Sequence, residues 1–417
     1  MSKLYSIPVI TVYFALMFTT AEAKVYIDIT SPAFRKLPLA IQDFSGPHGQ
    51  EISAIIRNDL EFSGLFAVVD KNAYVEKPSQ PFSQKNWTPI GVEAVVKGAV
   101  KETAALQVTV MLYDVHEAKE ILRKEYKSGK ELLRPLAHAI ANDIYSTLTG
   151  ERGIFRTRIA FVSAEEGKKG LCFMDWDGKR IMKTALKGNI MLSPRWSKDG
   201  SRLVYSAERN RQWGIYLLDF TNMKERKVYS AQGTNIAGDF FPEGSEIVLS
   251  SSKEGTPDLF KMGLSGDKPV KLTSSYGIEV SPAVSPDGEY IAFVSDKGGS
   301  PQIYMMGRDG SNMRRITFEG SYNTSPSWSP KGDRIVFSGR AAGNQVFIVN
   351  PDGTGLAQLT AQGNNEEPCF SPDGRYITFT SDRDGEKAVY IMRANGEAQT
   401  RITPRGMKAY GPRWSPN

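Results

Sequence analysis

The chain has 417 residues, of which 40% are hydrophobic and 24% charged, with 38 Gly and 23 Pro. That length exceeds one ordinary core and calls for two or three domains, while the composition is that of a folded globular protein and excludes a disordered one. The formal charge of +6 is scattered, without a Lys/Arg stripe interleaved with aromatics, so it describes a solvated basic surface and no nucleic-acid partner is expected.

The first 23 residues carry Lys3, an apolar run over 7–18, and Ala21-Glu22-Ala23. These are the charged, apolar and small-residue regions of a secretory signal peptide, and the apolar run is too short to anchor in a bilayer. Cleavage after Ala23 leaves Lys24 at the N-terminus; with no Cys there, no lipid anchor is expected. No later run reaches the roughly 18 apolar residues of a membrane span, so the mature chain is expected to be exported and soluble, without direct membrane insertion.

Residues 24–150 form a small α+β domain on this reading. Residues 24–30 alternate apolar and polar residues as a short strand does, and 38–44 reads as a second strand. Ile52, Ile55, Ile56 and Leu60 fall at helical spacing within 51–62, and Gly64 is placed to end that helix. A buried strand over 65–69 follows, then a segment over 89–97 that starts helical and ends as a strand, a hairpin pair at 106–113 and 121–126, and a helix over 131–148 stopped by Gly150.

From residue 151 the chain repeats. An apolar run of β type begins at Ile159, Leu203, Ile247, Ile291, Ile335 and Ile377, at intervals of 44 until the last of 42. A second run begins at Leu171, Ile215, Leu259, Ile303, Val346 and Val389. Each unit opens on a turn motif whose clearest form is SPDG, at Ser197, Phe241, Ser285, Ser329, Ser371 and Ser415. A period of roughly 40–45 residues built only of short strands is the signature of a β-propeller, one four-stranded blade per repeat. The phase adds a further step. The first strand copy, at Ile159, has no opener before it, and the last opener, at Ser415, has no strand after it. Residues 410–417 are therefore expected to complete the blade that begins near Arg158, closing a six-bladed ring over 151–417 and removing exposed sheet edges.

Catalytic chemistry is sparse. All three histidines, His48, His116 and His138, precede the repeats, no serine sits in a G-x-S-x-G elbow, and His/Cys metal spacing is absent. Asp-Gly pairs at 177, 309, 352 and 384 read as tight turns, with Asp accepting hydrogen bonds and Gly taking positive φ, rather than as calcium loops. Cys172 and Cys369 read as small core hydrophobes and are expected to be free thiols, although an exported chain permits a disulfide. No cofactor and no metal are expected. A rigid disc with loops on both faces is most simply a binding platform rather than an enzyme.

The combination of signal peptide, small α+β domain, six repeats opened by SPRWSKDG, SPAVSPDG, SPSWSPKG and EPCFSPDG, and a last opener GPRWSPN resembles the TolB family of periplasmic Tol-Pal proteins over the whole mature chain. That resemblance implies a periplasmic, non-enzymatic monomer. It implies that the propeller binds Pal, the peptidoglycan-associated lipoprotein, and that the N-terminal segment Lys24, Val25, Tyr26, Ile27, Asp28, Ile29 and Thr30 binds TolA, in support of outer-membrane integrity and constriction at division. The residues alone leave that segment equally readable as an internal edge strand. Two other readings stay open: an exported propeller enzyme, such as a metal-dependent lactonase-like hydrolase, and a scaffold for a different lipoprotein. The loops that run from the last strand of one blade to the opener of the next cross a single face of the disc, so the Pal-binding face is expected at Asn189, Asn235, Glu279, Asn323, Thr324, Glu366, Glu367 and Tyr410.

Overall fold

The computed structural model describes residues 35–165 and 167–417. The expected signal peptide and the segment 24–30 lie outside them. The chain divides into two compact units, one of residues up to Leu133 with Thr147–Gly150, the other of Arg134–Ser146 with Glu151–Asn417. Among the described residues, no helix is long and apolar enough to cross a membrane.

The first unit is a five-stranded sheet in the order Phe66–Val68, Leu37–Ile41, Ala94–Glu102, Leu106–Asp114, Lys119–Ser128. The pairings of Leu37–Ile41 with both its neighbours are parallel. Parallel neighbours need a crossover, and the helix Gly49–Phe62 supplies one between Leu37–Ile41 and Phe66–Val68. It forms because Ile52, Ile56 and Leu60 bury one face completely, and it ends where Gly64 takes φ 74° and donates to Glu61 O at 3.0 Å. A buried ion pair holds the long connection that follows: Lys97 Nζ lies 2.5 Å from Glu76, whose other oxygen accepts Ser83 N–H at 2.8 Å and Trp87 Nε1–H at 3.2 Å. Each charge there has several partners, which is what burial of a charge demands.

The second unit contains six four-stranded antiparallel sheets. Blade 4 shows the pattern, with an inner strand Glu279–Val284, then Tyr290–Ser295, Gln302–Gly307 and a two-residue outer strand Arg314–Arg315. Blade 1 is the composite one. Its inner strand, Ala409–Trp414, pairs with Arg158–Glu165, followed by Lys168–Asp175 and Met182–Gly188. The closure expected from the phase of the repeat is therefore the one observed. Arg158 N–H donates to Ser415 Oγ at 2.9 Å, Ser415 N–H to Arg158 O at 2.7 Å, and Trp414 Nε1–H to Thr157 Oγ1 at 2.6 Å. Adjacent blades share their cores; Phe241, Val248 and Leu259 of blade 3 pack with Phe293, Tyr304 and Met306 of blade 4.

The openers do the turn chemistry that their residues imply. In blade 4, Ser285 Oγ donates to Asp287 and accepts Tyr290 N–H at 2.9 Å, Asp287 accepts Glu289 N–H at 3.0 Å, and Gly288 takes φ 80°. The helix Leu133–Thr149 contributes its middle, Arg134–Ser146, to this unit. There Arg134 pairs with Asp177, and Tyr145 meets Phe155 edge-on at 5.6 Å.

Candidate protein-binding face

Alternation of strand direction places two sets of connections at one end of every blade: the turn between the second and third strands, and the loop that leaves the outer strand for the next blade. The SPDG turns lie at the other end. Hydrogen bonds tie the two sets together. Arg340 N–H donates to Tyr322 O at 2.9 Å, Ser252 N–H to Thr234 O at 3.0 Å, and Ile278 N–H to an Asp296 carboxylate oxygen at 2.7 Å.

The loops stand on a repeated polar clip. Leu259, Ile303, Val346 and Val389 donate their amides to the hydroxyls of Thr273, Thr317, Thr360 and Thr403 at 2.9–3.0 Å. Thr317 and Thr360 pass their own protons to Gln302 and Gln345 at 2.7 and 2.8 Å. Those same amide oxygens accept Nδ2–H of Asn323 and Asn365, both at 2.8 Å. The threonine hydroxyl and the glutamine amide oxygen are each bonded on both sides in these two clips, so the loop base is held and its tip is what varies. The threonines and glutamines of this clip were missed by sequence reasoning, although their spacing of 44, 43 and 43 residues for the threonines was there to be read.

The expected Pal-face residues all lie at this end of their strands, but not all at its surface. Asn189 is exposed and bonded to Glu208 at 2.9 Å. Asn235, Glu279 and Asn323 are the first residues of inner strands and are buried. Asn235 donates to Ala231 O at 2.7 Å, and Glu279 sits among the hydroxyls of Ser275 and Ser295. Burial lifts the Glu279 carboxyl above the ordinary glutamate range, those hydroxyls partly opposing the rise. Thr324, Glu366, Glu367 and Tyr410 are half-buried. Glu366 pairs with Lys387 at 2.6 Å and accepts Asn344 Nδ2–H at 2.7 Å; Glu367, at φ 55°, accepts Thr380 Oγ1–H at 3.3 Å; and Lys169 Nζ lies 5.2 Å from the centre of the Tyr410 ring.

At the opposite end the openers surround a cavity of about 440 Å³ lined by Phe241, Trp328, Phe370, Trp414 and opener prolines. Each inner strand carries a bulge, and in five of the six a proline follows a left-handed residue at Ser193, Ser281, Ser325, Glu367 or Gly411. The residue after the proline, or after Gly238 in blade 3, runs round the ring as Arg195, Asp239, Ala283, Ser327, Cys369 and Arg413. Burial and the neighbouring Arg413 guanidinium pull Arg195 down to about 10, while burial raises Asp239 against the pull of both arginines. Among the described residues, no three His, Cys, Asp or Glu side chains gather as a metal site would need.

The family profile described as the TolB beta propeller domain matches residues 145–345 and 325–417, and that of the TolB amino-terminal domain matches residues 25–121. The Tol-Pal system protein TolB of Nitrosomonas europaea is 33% identical over 225 residues, 53% of each chain. That of Dechloromonas aromatica is 31% identical over 221 residues, 52% of each. The chain thus spans about half the length of the curated relatives it matches. The crystal structure of TolB from Acinetobacter baumannii superposes with a TM-score of 0.82 at 27% identity, covering 94% of this chain and all of that one.

Proposed function

The chain belongs to the TolB family of Tol-Pal system proteins, and from that premise we propose that it is a periplasmic scaffold that binds Pal on the loop face of its propeller and TolA through residues 24–30. It works by binding rather than by catalysis, in support of outer-membrane integrity and constriction at division. The observation that carries the Pal reading is the loop face itself: loops of different sequence converge on one end of the ring, four of them held at their start by the same threonine clip, which is how a repetitive scaffold presents a specific surface. The absence of histidine from the six blades accords with a role without acid–base chemistry. On this reading the exposed and half-buried positions, Asn189, Thr324, Glu366, Glu367 and Tyr410, meet the partner. The buried Asn235, Glu279 and Asn323 hold the loops beneath it.

The test is calorimetric titration of soluble Pal into the wild-type chain and into Glu366→Lys/Glu367→Lys. Binding weakened about tenfold or more, with an unchanged far-ultraviolet spectrum, supports the reading. Wild-type affinity in that variant, together with loss on altering the opener end, would put the site on the other side of the ring.

A further inference from the structure

Exposed apolar side chains are ordinary when scattered and informative when they cluster. Two consecutive loops of the loop face carry four of them. Tyr276 and Ile278 stand on the loop entering blade 4, and Phe318 and Tyr322 on the loop entering blade 5, with Tyr276 fully exposed and Phe318 71% exposed. The clips at Thr273 and Thr317 hold the start of each loop, so these side chains are presented from a fixed base rather than from a mobile tip.

A second observation selects the same sector. A cation stands at the end of the second strand or within two residues of it in blades 2 to 6, and in each it lies near an aromatic ring. In blades 2, 3 and 6 it is engaged within the protein: Arg209 with Glu225 at 2.8 Å, Lys253 with Glu254 at 3.7 Å, Arg383 with Ser381, Gln399 and Asn365. In blades 4 and 5, Lys297 and Arg340 have no carboxylate partner among the described residues, nor has Arg315 beside them; Arg315 Nε–H donates to Thr317 O at 2.5 Å and Lys297 Nζ lies 2.6 Å from Met313 Sδ, so their charge, like that of Arg383, is met only by neutral groups. Instead Arg340 lies 5.1 Å from the Tyr322 ring centre, Arg315 5.1 Å from that of Phe318, and Lys297 4.6 Å from that of Tyr304. The carboxylates on and beside these loops are Glu279, which is buried, Asp296, whose Oδ1 accepts the Ile278 amide at 2.7 Å, and Glu319; none of them forms an ion pair with Lys297, Arg315 or Arg340 among the described residues.

We infer that the loops entering blades 4 and 5 form the anchoring sector of the partner-binding face, and that they receive a protein surface on which carboxylates surround an apolar recess. The aromatic rings enter the recess, and the guanidiniums already held over those rings meet the carboxylates in a planar, two-pronged geometry that lysine would not reproduce. The inference rests on the reading of this face as the Pal site, and it adds which third of the ring dominates and what chemistry Pal must present to it.

The experiment titrates soluble Pal, at low and high salt, into the wild type, Phe318→Ser/Tyr322→Ser, Arg315→Gln/Arg340→Gln, and a control, Met223→Ser/Tyr290→Ser, whose exposed side chains lie at the opener end. All the altered side chains except Arg315 are exposed, and the melting temperature of each variant checks that folding is kept. The expected result is about tenfold or greater weakening in the aromatic variant, weakening with a flattened salt dependence in the arginine variant, and wild-type affinity in the control. Pal affinity in the aromatic variant equal to wild type overturns the sector while leaving the Pal face standing. An unchanged salt dependence in the arginine variant overturns the acidic chemistry of the partner surface. Failure of the wild type to bind Pal overturns both readings together.

Discussion

Ring closure makes one aromatic side chain the most exacting test of the architecture. Trp414 is 6% exposed, stacks on Tyr376 of the preceding blade at 6.4 Å, and donates its indole N–H to Thr157 at 2.6 Å. It sits opposite Ile159 in the only strand pairing of the ring that joins the two ends of the repeat region. Trp414→Ala removes a large buried ring at a site with limited room to collapse, which costs about 3–5 kcal/mol. Thr157 keeps a partner, since its hydroxyl also donates to Ile154 O at 2.5 Å, so the unsatisfied-group penalty is small and about 4 kcal/mol is the expected total. At about 2–4 °C per kcal/mol for a domain of this size, the midpoint of thermal unfolding falls by roughly 8–16 °C. The control is Trp328→Ala. Trp328 occupies the same repeat position in blade 5 and donates to Ala283 O at 3.1 Å, but it is only half-buried and its blade is continuous in the chain. Circular dichroism at the β-sheet minimum follows both. A Trp414→Ala midpoint no lower than that of Trp328→Ala would refute the argument that the seam carries the stability of the ring.

Two further outcomes are expected. Glu279 is buried with one carboxylate oxygen unbonded, in a position filled by Asn in blades 3, 5 and 6. Its folded-state pKa is raised, so the folded protein holds that proton more tightly than the unfolded chain does, and its contribution to stability is lost as pH rises through the folded value. Glu279→Gln should therefore gain in melting temperature over wild type from acidic to mildly alkaline pH, and a gap that narrows instead would contradict the assignment. Deletion of residues 24–30 should abolish binding of soluble TolA in a pull-down while the melting temperature stays unchanged; retained binding would remove that segment from the proposed function.

The propeller was legible because its pairing is local. Every strand except Ala409–Trp414 bonds to its neighbours in the same 40-odd residues, so the period of the sheet is the period of the chain, and even the one non-local pairing declared itself as a missing opener at Ile159 and a missing strand after Ser415. The loop face was legible as a place and not as a surface. Tyr322 and Asn323 are adjacent polar-loop residues with opposite fates: Asn323 is drawn under by Gln302, twenty-one residues earlier and in a different blade, while Tyr322 is left in solvent with Arg340 against its ring. No local pattern distinguishes them, because what decides is whether a partner for the amide waits beneath the loop. The same rule explains Glu279, where the third strand offers Asp258 instead of a glutamine, and one of its carboxylate oxygens goes unanswered. It also explains the helix Leu133–Thr149. Spacing of apolar residues marks which face is buried, not against what, and the middle of that helix joins the blades through Arg134, Asn142 and Tyr145, residues that carry no hydrophobic periodicity of their own. Specificity on a repetitive scaffold thus accumulates where the repeat stops determining burial, and in this chain that is the tips of the loops entering blades 4 and 5.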